Sequence, residues 1–229
     1  MRQSLSDGVA LAWSRLGRPR TLLVAAVAMG CVLADGGWER ARAASVAADR
    51  VLTGAAFGLV LPLLAYHVIR EVTAQRRLDQ AVLEAARHGA NRHWAAIGLL
   101  GTATIWLAIL CGLIAGAGVV TARGFADPQL GSDLATSVWI GALAGGSYAW
   151  FFGFGTSLGR RGGGSFVVLV LDWFLGVSSS AVAVPWPRAH LRNLLGAEPI
   201  LGLSQGAALA VLVGLVVVYS SLALWRTPR

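Results

Sequence analysis

Apolar residues in this 229-residue chain are gathered into about six long blocks, and that arrangement leaves it little choice of environment. A helix needs about 20 apolar residues to cross a hydrocarbon layer, and a helix is favoured there because it satisfies its own backbone N–H and C=O groups. The blocks fall at about Thr21–Ala34, Val51–Ile69, Trp94–Val120, Leu134–Leu158, Ser165–Val184 and Gly206–Leu224. They predict an all-α polytopic membrane protein with six transmembrane helices in a single domain, residues 1–229. The first block is the shortest because Asp35 interrupts it. The uncharged stretch around Gly36, Gly37 and Trp38 can complete that crossing at the interface. The first twenty residues carry Arg2, Asp7, Arg15, Arg18 and Arg20 and lack the apolar core of a cleavable signal peptide.

Charge supplies an orientation. There is no lysine; all nineteen basic residues are arginine, against eleven acids, for a net charge of +8. On a six-span reading one side holds thirteen arginines (2, 15, 18, 20, 70, 76, 77, 87, 92, 160, 161, 226 and 229) and the other holds six (40, 42, 50, 123, 188 and 192). The positive-inside rule places the first set, and both termini, in the cytoplasm. On the other side six acids, Asp35, Glu39, Asp49, Asp127, Asp133 and Glu198, cancel the arginines. Topology thus accounts for the positive charge without nucleic acid, and no basic stripe carries interleaved aromatics. Without lysine the chain cannot form a P-loop, whose lysine grips nucleotide phosphates. Any ATP, with its magnesium, belongs on a partner chain.

The cytoplasmic segments carry most of the functional signal. Leu5, Val9, Ala12, Trp13 and Leu16 share one face ahead of the first span, which predicts an amphipathic helix lying in the membrane interface. Between the second and third spans, Leu78, Ala81, Val82 and Ala85 recur at i, i+3, i+4 and i+7. Asp79 near the start and Arg87 and His88 near the end suit the helix dipole. Gly89 is a helix stop, and Asn91 caps the next helix. A short helix with an apolar stripe has to bury that stripe, and a partner protein or the membrane surface are the two choices.

From Leu61 to Thr102 the chain resembles the permease subunits of type 2 ABC transporters, the exporter class. Glu71 stands where that family has an acidic residue after its second span. Leu78 to Leu83 stand in the segment usually read as a glycine-threonine-leucine run followed by a leucine pair, and Ala90 to Leu99 match the basic turn that re-enters the membrane. Pro185, Pro187 and a short Leu191–Leu195 helix before the last span resemble the family's C-terminal part. Leu78-Asp79 replaces the glycine-threonine pair, and Gly89-Ala90 the proline of the returning turn. The resemblance implies a coupling helix with Glu71, Leu78, Ala81, Val82, Ala85 and Arg87 facing a cytoplasmic ATPase subunit. It also implies a second permease copy or homologue, a bacterial cytoplasmic membrane, and a transport subunit that performs no bond chemistry itself. The rival reading is a structural or assembly membrane protein whose inner loop binds a non-ATPase partner.

Other constellations carry less. Gly155-Thr156-Ser157-Leu158-Gly159 matches the G-x-S-x-G string of serine hydrolases, but an intramembrane protease needs a histidine base near the serine. His88, His93 and His190 lie in loops, and His67 lies near the end of the second span. The glycines 141, 145, 153, 155 and 159, with Gly112 and Gly116, read as surfaces for close helix packing. Cys31 and Cys111 read as small packing residues, and no His/Cys/Glu grouping has metal-ligand spacing. Asp172 is the one acid well inside a span. It must face the bundle interior, a cavity or a partner, either as a working residue or through a hydrogen bond to a neighbour such as Tyr148 or Ser178.

Overall fold

A computed structural model of the chain describes residues 2–86, 89 and 91–227. It is all-helical, with no strand among the described residues. Among the described residues eleven α-helices follow in order: α1 (Arg2–Leu16), α2 (Pro19–Ala43), α3 (Ala47–Arg50), α4 (Leu61–Val72), α5 (Leu78–Ala81), α6 (Leu83–Ala86), α7 (Arg92–Arg123), α8 (Leu130–Thr156), α9 (Gly164–Leu175), α10 (Pro187–Leu194) and α11 (Gln205–Trp225). Three helical stretches among the described residues are long and apolar enough to cross a membrane: Pro19–Val72, Arg92–Arg123 and Gln205–Trp225. The first doubles back around Ala43 and Val46, whose backbones leave the helical region. Val24, Ala28 and Cys31 on α2 therefore face Leu59, Leu63 and His67 on the returning limb.

That returning limb begins as a π-helix, Val51–Val60. Its register carries through to Leu61, whose N–H reaches five residues back to Ala56. Pro62, which follows, has no N–H, and its ring would crowd the carbonyl of Gly58 in a regular α-helix. The wider turn upstream relieves that crowding.

The centre of the bundle is the antiparallel pair α7 and α8. α1, α2 and α4 pack on α7, while α11, α4 and α9 pack on α8. Glycines decide how close the central pair comes. A Cβ at Gly141 would lie 2.7 Å from the Cys111 carbonyl oxygen and 3.0 Å from Gly112 Cα, and one at Gly145 would fall onto the Leu107 carbonyl. The same device seats α1 on α7: Gly8 lies on the Ala95 carbonyl and Gly98 on the Leu5 carbonyl. Lipid tails supply no hydrophobic drive between helices, so such close van der Waals contact is what holds them.

Two expectations need correction. The expected apolar face of α1 was Leu5, Val9, Ala12, Trp13 and Leu16. The buried set is instead Ser4, Gly8, Ala12, Arg15 and Leu16, with Leu5 and Trp13 exposed. Small residues win because α7 admits only a close approach. The block Ser165–Val184 is not one helix: α9 stops at Leu175, about 18 Å after it starts. Gly176 closes it with an N–H donated to the Asp172 carbonyl at 2.9 Å. Elsewhere the helices keep within a few residues of the expected blocks, except that α2 runs through Asp35 to Ala43, nine residues past Ala34, while α8 starts four residues early and ends two short of Leu158. Asn91 does cap α7, accepting from the His93 N–H at 3.0 Å.

A leucine at Gly145 must push the two central backbones apart, and backbone cannot yield as a side chain can. Gly145→Leu should cost about 3 kcal/mol, the upper end of ordinary overpacking, seen as a lower melting temperature in detergent. Gly214→Leu, whose Cβ position meets nothing within 4 Å, is the control and should melt like the parent.

Candidate functional site

The arginine-rich end of the bundle is one connected block. α4 ends in a turn where Ala74 (φ 52) and Gln75 (φ 58) both take the left-handed conformation without being glycine. Such positions are costly and persist where neighbours hold them. Here the Arg70 guanidinium donates to Gln75 Oε1 at 2.8 Å, and the Gln75 N–H donates to the Arg70 carbonyl at 2.8 Å. The Gln75 side-chain amide then donates to Glu71 at 3.2 Å. Arg70 also reaches the turn between α8 and α9, donating to the carbonyls of Arg161 at 2.8 Å and Gly162 at 3.0 Å. Two loops distant in sequence are thereby fixed to each other by one side chain.

Arg15 plays the same part for α1. It is buried, and its guanidinium donates to the Val72 carbonyl at 2.5 Å and pairs with Glu84 at 2.9 Å. It also reaches the Ala81 carbonyl at 3.4 Å. Burial pushes the Arg15 pKa below its ordinary value, and the Glu84 carboxylate opposes that shift. Because arginine starts so high, the group stays charged and its hydrogen bonds remain charge-assisted. The N-terminal helix, the end of α4 and the α5–α6 segment therefore meet at one cation.

This arrangement takes up the apolar stripe expected to face a partner. Leu78, Ala81, Val82 and Ala85 are all buried within the chain, at 0%, 1%, 0% and 9% exposure. The stripe needs no partner because α1 and α7 cover it. Glu71 is also buried, covered by its neighbours and 3.6 Å from the exposed Arg20 guanidinium. Arg87 lies outside the described residues. The face left outward is Arg76, Gln80, Leu83 and Glu84, which line a shallow groove of about 290 Å³. Nothing in the periodicity distinguished a stripe buried by a partner from one buried by the chain's own N-terminal helix.

The second polar cluster lies deep in the bundle. Asp172 is fully buried and accepts two hydrogen bonds, from the Tyr148 hydroxyl at 3.0 Å and from the Arg188 backbone N–H at 3.2 Å. Tyr148 was among the expected donors; Ser178 pairs with Ser180 instead. Arg188 sits in the first turn of α10, after Pro187, so the carboxylate satisfies one of the free N–H groups of a helix start. Tyr219 donates to the Pro185 carbonyl. Tyr219 lies fourteen residues into α11, about 21 Å from its start at Gln205. The part of the chain around Pro185 and Arg188 therefore dips back into the bundle, whereas the six-span reading puts 185–205 outside the membrane. Proline at 185 and 187, with Gly176 before them, is the sequence signal that marks this break. At the opposite end from the arginine-rich block the charges pair: Arg50 with Glu39 at 3.2 Å, and Arg123 with Asp133 at 2.6 Å.

The hydroxyl of Ser157 donates to the Phe154 carbonyl of its own helix at 2.7 Å, which is an ordinary helix-end contact. Among the described residues no group of three or more His, Cys, Asp or Glu side chains could hold a metal ion.

Removing the Arg15 guanidinium should release the segment it holds. Arg15→Ala should cost about 3 kcal/mol, since it strands buried carbonyls and a carboxylate. The readout is trypsin cleavage after Arg76 and Arg77, expected to speed up by tenfold or more, with Arg15→Lys intermediate. For Asp172 the expected pattern is graded. Asp172→Asn keeps an acceptor and should stay within about 1 kcal/mol of the parent, whereas Asp172→Leu orphans both donors and should cost about 2–4 kcal/mol. Melting curves of the two variants check it, and an Asn variant as unstable as the Leu variant would contradict the hydrogen-bonding account.

No family model, no curated protein and no solved structure matches this chain.

Proposed function

We propose that this chain is the membrane-spanning permease subunit of an ATP-driven ABC exporter in a bacterial cytoplasmic membrane. It crosses six times: α2, the Val51–Val72 limb, α7, α8, α9 with its following turn, and α11. Both termini are cytoplasmic, and a second permease copy or homologue completes the core. ATP and magnesium are held by a separate cytoplasmic ATPase subunit, since this chain has no lysine for a P-loop. The permease performs no bond chemistry.

One observation carries this reading. Arg15 and Arg70 tie α1, the end of α4, the α5–α6 segment and the 159–162 turn into one block at the arginine-rich end. A permease driven by another subunit needs such a handle, because coupling requires that force on one site be felt at another. α4 and α7 run from this block into the bundle, so displacing it moves them. The docking surface is the outward face of Arg76, Gln80, Leu83 and Glu84, in place of the buried stripe.

A structural or assembly role with a non-ATPase partner is the second reading. The observation favouring it is the burial of the apolar stripe by the chain itself, which leaves a mainly polar surface to grip.

Photo-crosslinkers placed at Gln80 and Leu83 in cells, followed by purification and mass spectrometry, separate the two. The permease reading expects an ATPase subunit captured from both positions and released by Leu83→Asp. Capture of other proteins with no ATPase present rejects it. Val82→Asp is uninformative, because a charge at that buried site would damage the fold itself. In the same strains, a single cysteine replacing the exposed Ser6, with Cys31 and Cys111 removed, should resist an impermeant thiol reagent in intact cells. Labelling there would reverse the topology.

A further inference from the structure

Four arginine side chains outside the handle's own hydrogen bonds converge on one groove. Arg77, Arg160, Arg161 and Arg226, with Gln80, line a groove of about 480 Å³ that no acidic residue lines. Arg77 has a carboxylate within reach, Asp79 at 3.2 Å. Among the described residues Arg160, Arg161 and Arg226 form no ion pair, and all three are exposed. Like charges gathered without neutralisation repel one another, so the groove favours an anion.

The groove is built rather than accidental. Arg161 is held at φ 52 in the left-handed region, and the Arg70 guanidinium clamps its carbonyl and that of Gly162. Gly162 has no room for a side chain: a Cβ there would lie 2.7 Å from the Arg76 carbonyl oxygen and 2.9 Å from the Arg70 guanidinium. The α8–α9 turn is therefore pressed onto the loop that carries Arg76 and Arg77, and the guanidinium groups start from fixed backbones. On the far side, Arg226 directly follows the C-terminal end of α11, where the Thr227 hydroxyl donates back to the Ala223 carbonyl at 3.1 Å.

Its level in the bilayer points to the ligand. Trp225, 78% exposed, precedes Arg226, and Phe166, 57% exposed, opens α9 just beyond the arginine turn. Exposed aromatic side chains at the ends of apolar helices sit at headgroup depth. A groove of guanidinium groups between helix ends at that depth matches the phosphate of a lipid, which arginine binds through paired hydrogen bonds. A soluble acidic protein would have to cover the exposed Trp225 and Phe166 to reach the same arginines. We propose that this groove seats the headgroup phosphate of an anionic phospholipid. The inference depends on the bilayer alone and stands apart from the exporter reading.

The test uses the full-length protein purified in detergent and titrated with phosphatidylglycerol or phosphatidylcholine, read by native mass spectrometry. Phosphatidylglycerol should be retained in preference to phosphatidylcholine. Arg160→Gln combined with Arg226→Gln should lower that affinity by about thirtyfold, the effect of two arginines near an anionic surface. Arg160→Lys with Arg226→Lys should retain most of it. The pair Arg40→Gln and Arg42→Gln removes the same charge at the opposite end and should change affinity by less than about threefold. Equal retention of the two lipids, or equal losses in the two glutamine pairs, overturns the proposal. Displacement of the lipid by excess inorganic phosphate would mark a free-phosphate site, and displacement by a glutamate-rich peptide would mark a protein-docking site; either outcome also overturns it. Gel filtration and melting curves establish that the glutamine variants remain folded.

Discussion

Helices α7 and α8 meet through backbone atoms, and the position of every other helix follows from that contact. Gly141 lies against Cys111 and Gly112, and Gly145 against the Leu107 carbonyl. In water a helix pair can rely on burying apolar side chains, but between lipid tails the gain lies in dense packing alone. Aromatic side chains fill what the glycines leave open. Tyr148, Phe151 and Phe152 are all buried on α8, and Tyr219 of α11 packs its ring on Phe151 with centroids 5.1 Å apart. Small residues of α8 face α7, while its large ones serve the other neighbours: Phe151 packs on Tyr219 of α11, Phe152 on Tyr66 of α4, and Tyr148 reaches Asp172 of α9.

Backbone groups released at the breaks in this bundle are met by a few long side chains. At the arginine-rich end Arg15 takes up carbonyls where α4 and α5 stop, and Arg70 takes up those of the turn between α8 and α9. Asp172 performs the complementary task deep in the bundle, accepting from the start of α10. Unsatisfied polar groups are expensive away from water, so irregular backbone at depth survives where such partners exist. On the exporter reading these two places have different mechanical roles. The first ties several elements into a unit that a partner can push. The second pins the segment around Pro185 and Arg188 between α8 and α11.

Much of the architecture was legible in the residues alone. The apolar blocks located the long helices, because helix length in lipid follows from the run of uncharged residues. Asn91 declared the start of α7, since an asparagine side chain matches the free N–H groups of a helix start. The glycine pairs announced close packing, though not which helices would meet. Asp172 was recognisable as a buried acid needing a donor, and Tyr148 was a named candidate.

What the chain alone could not disclose concerns partners distant in sequence. The stripe at Leu78, Ala81, Val82 and Ala85 has the same period whether it faces another protein or the chain's own α1 and α7, so only the tertiary arrangement decides its occupant. Arg15 counted in the sequence only as one of the cytoplasmic-side charges, because the carbonyl of Val72 and the carboxylate of Glu84 come to it only once α1 has docked through Gly8. The end of α9 at Leu175 is a further case. Hydropathy continues through Val184, and it is the hydrogen bonds of Asp172 and Tyr219 with the returning segment, with Tyr148 holding Asp172, that make a broken helix stable there. Local composition determined which segments enter the bundle. Contacts across the bundle determined which of their faces and ends were left for anything else to bind.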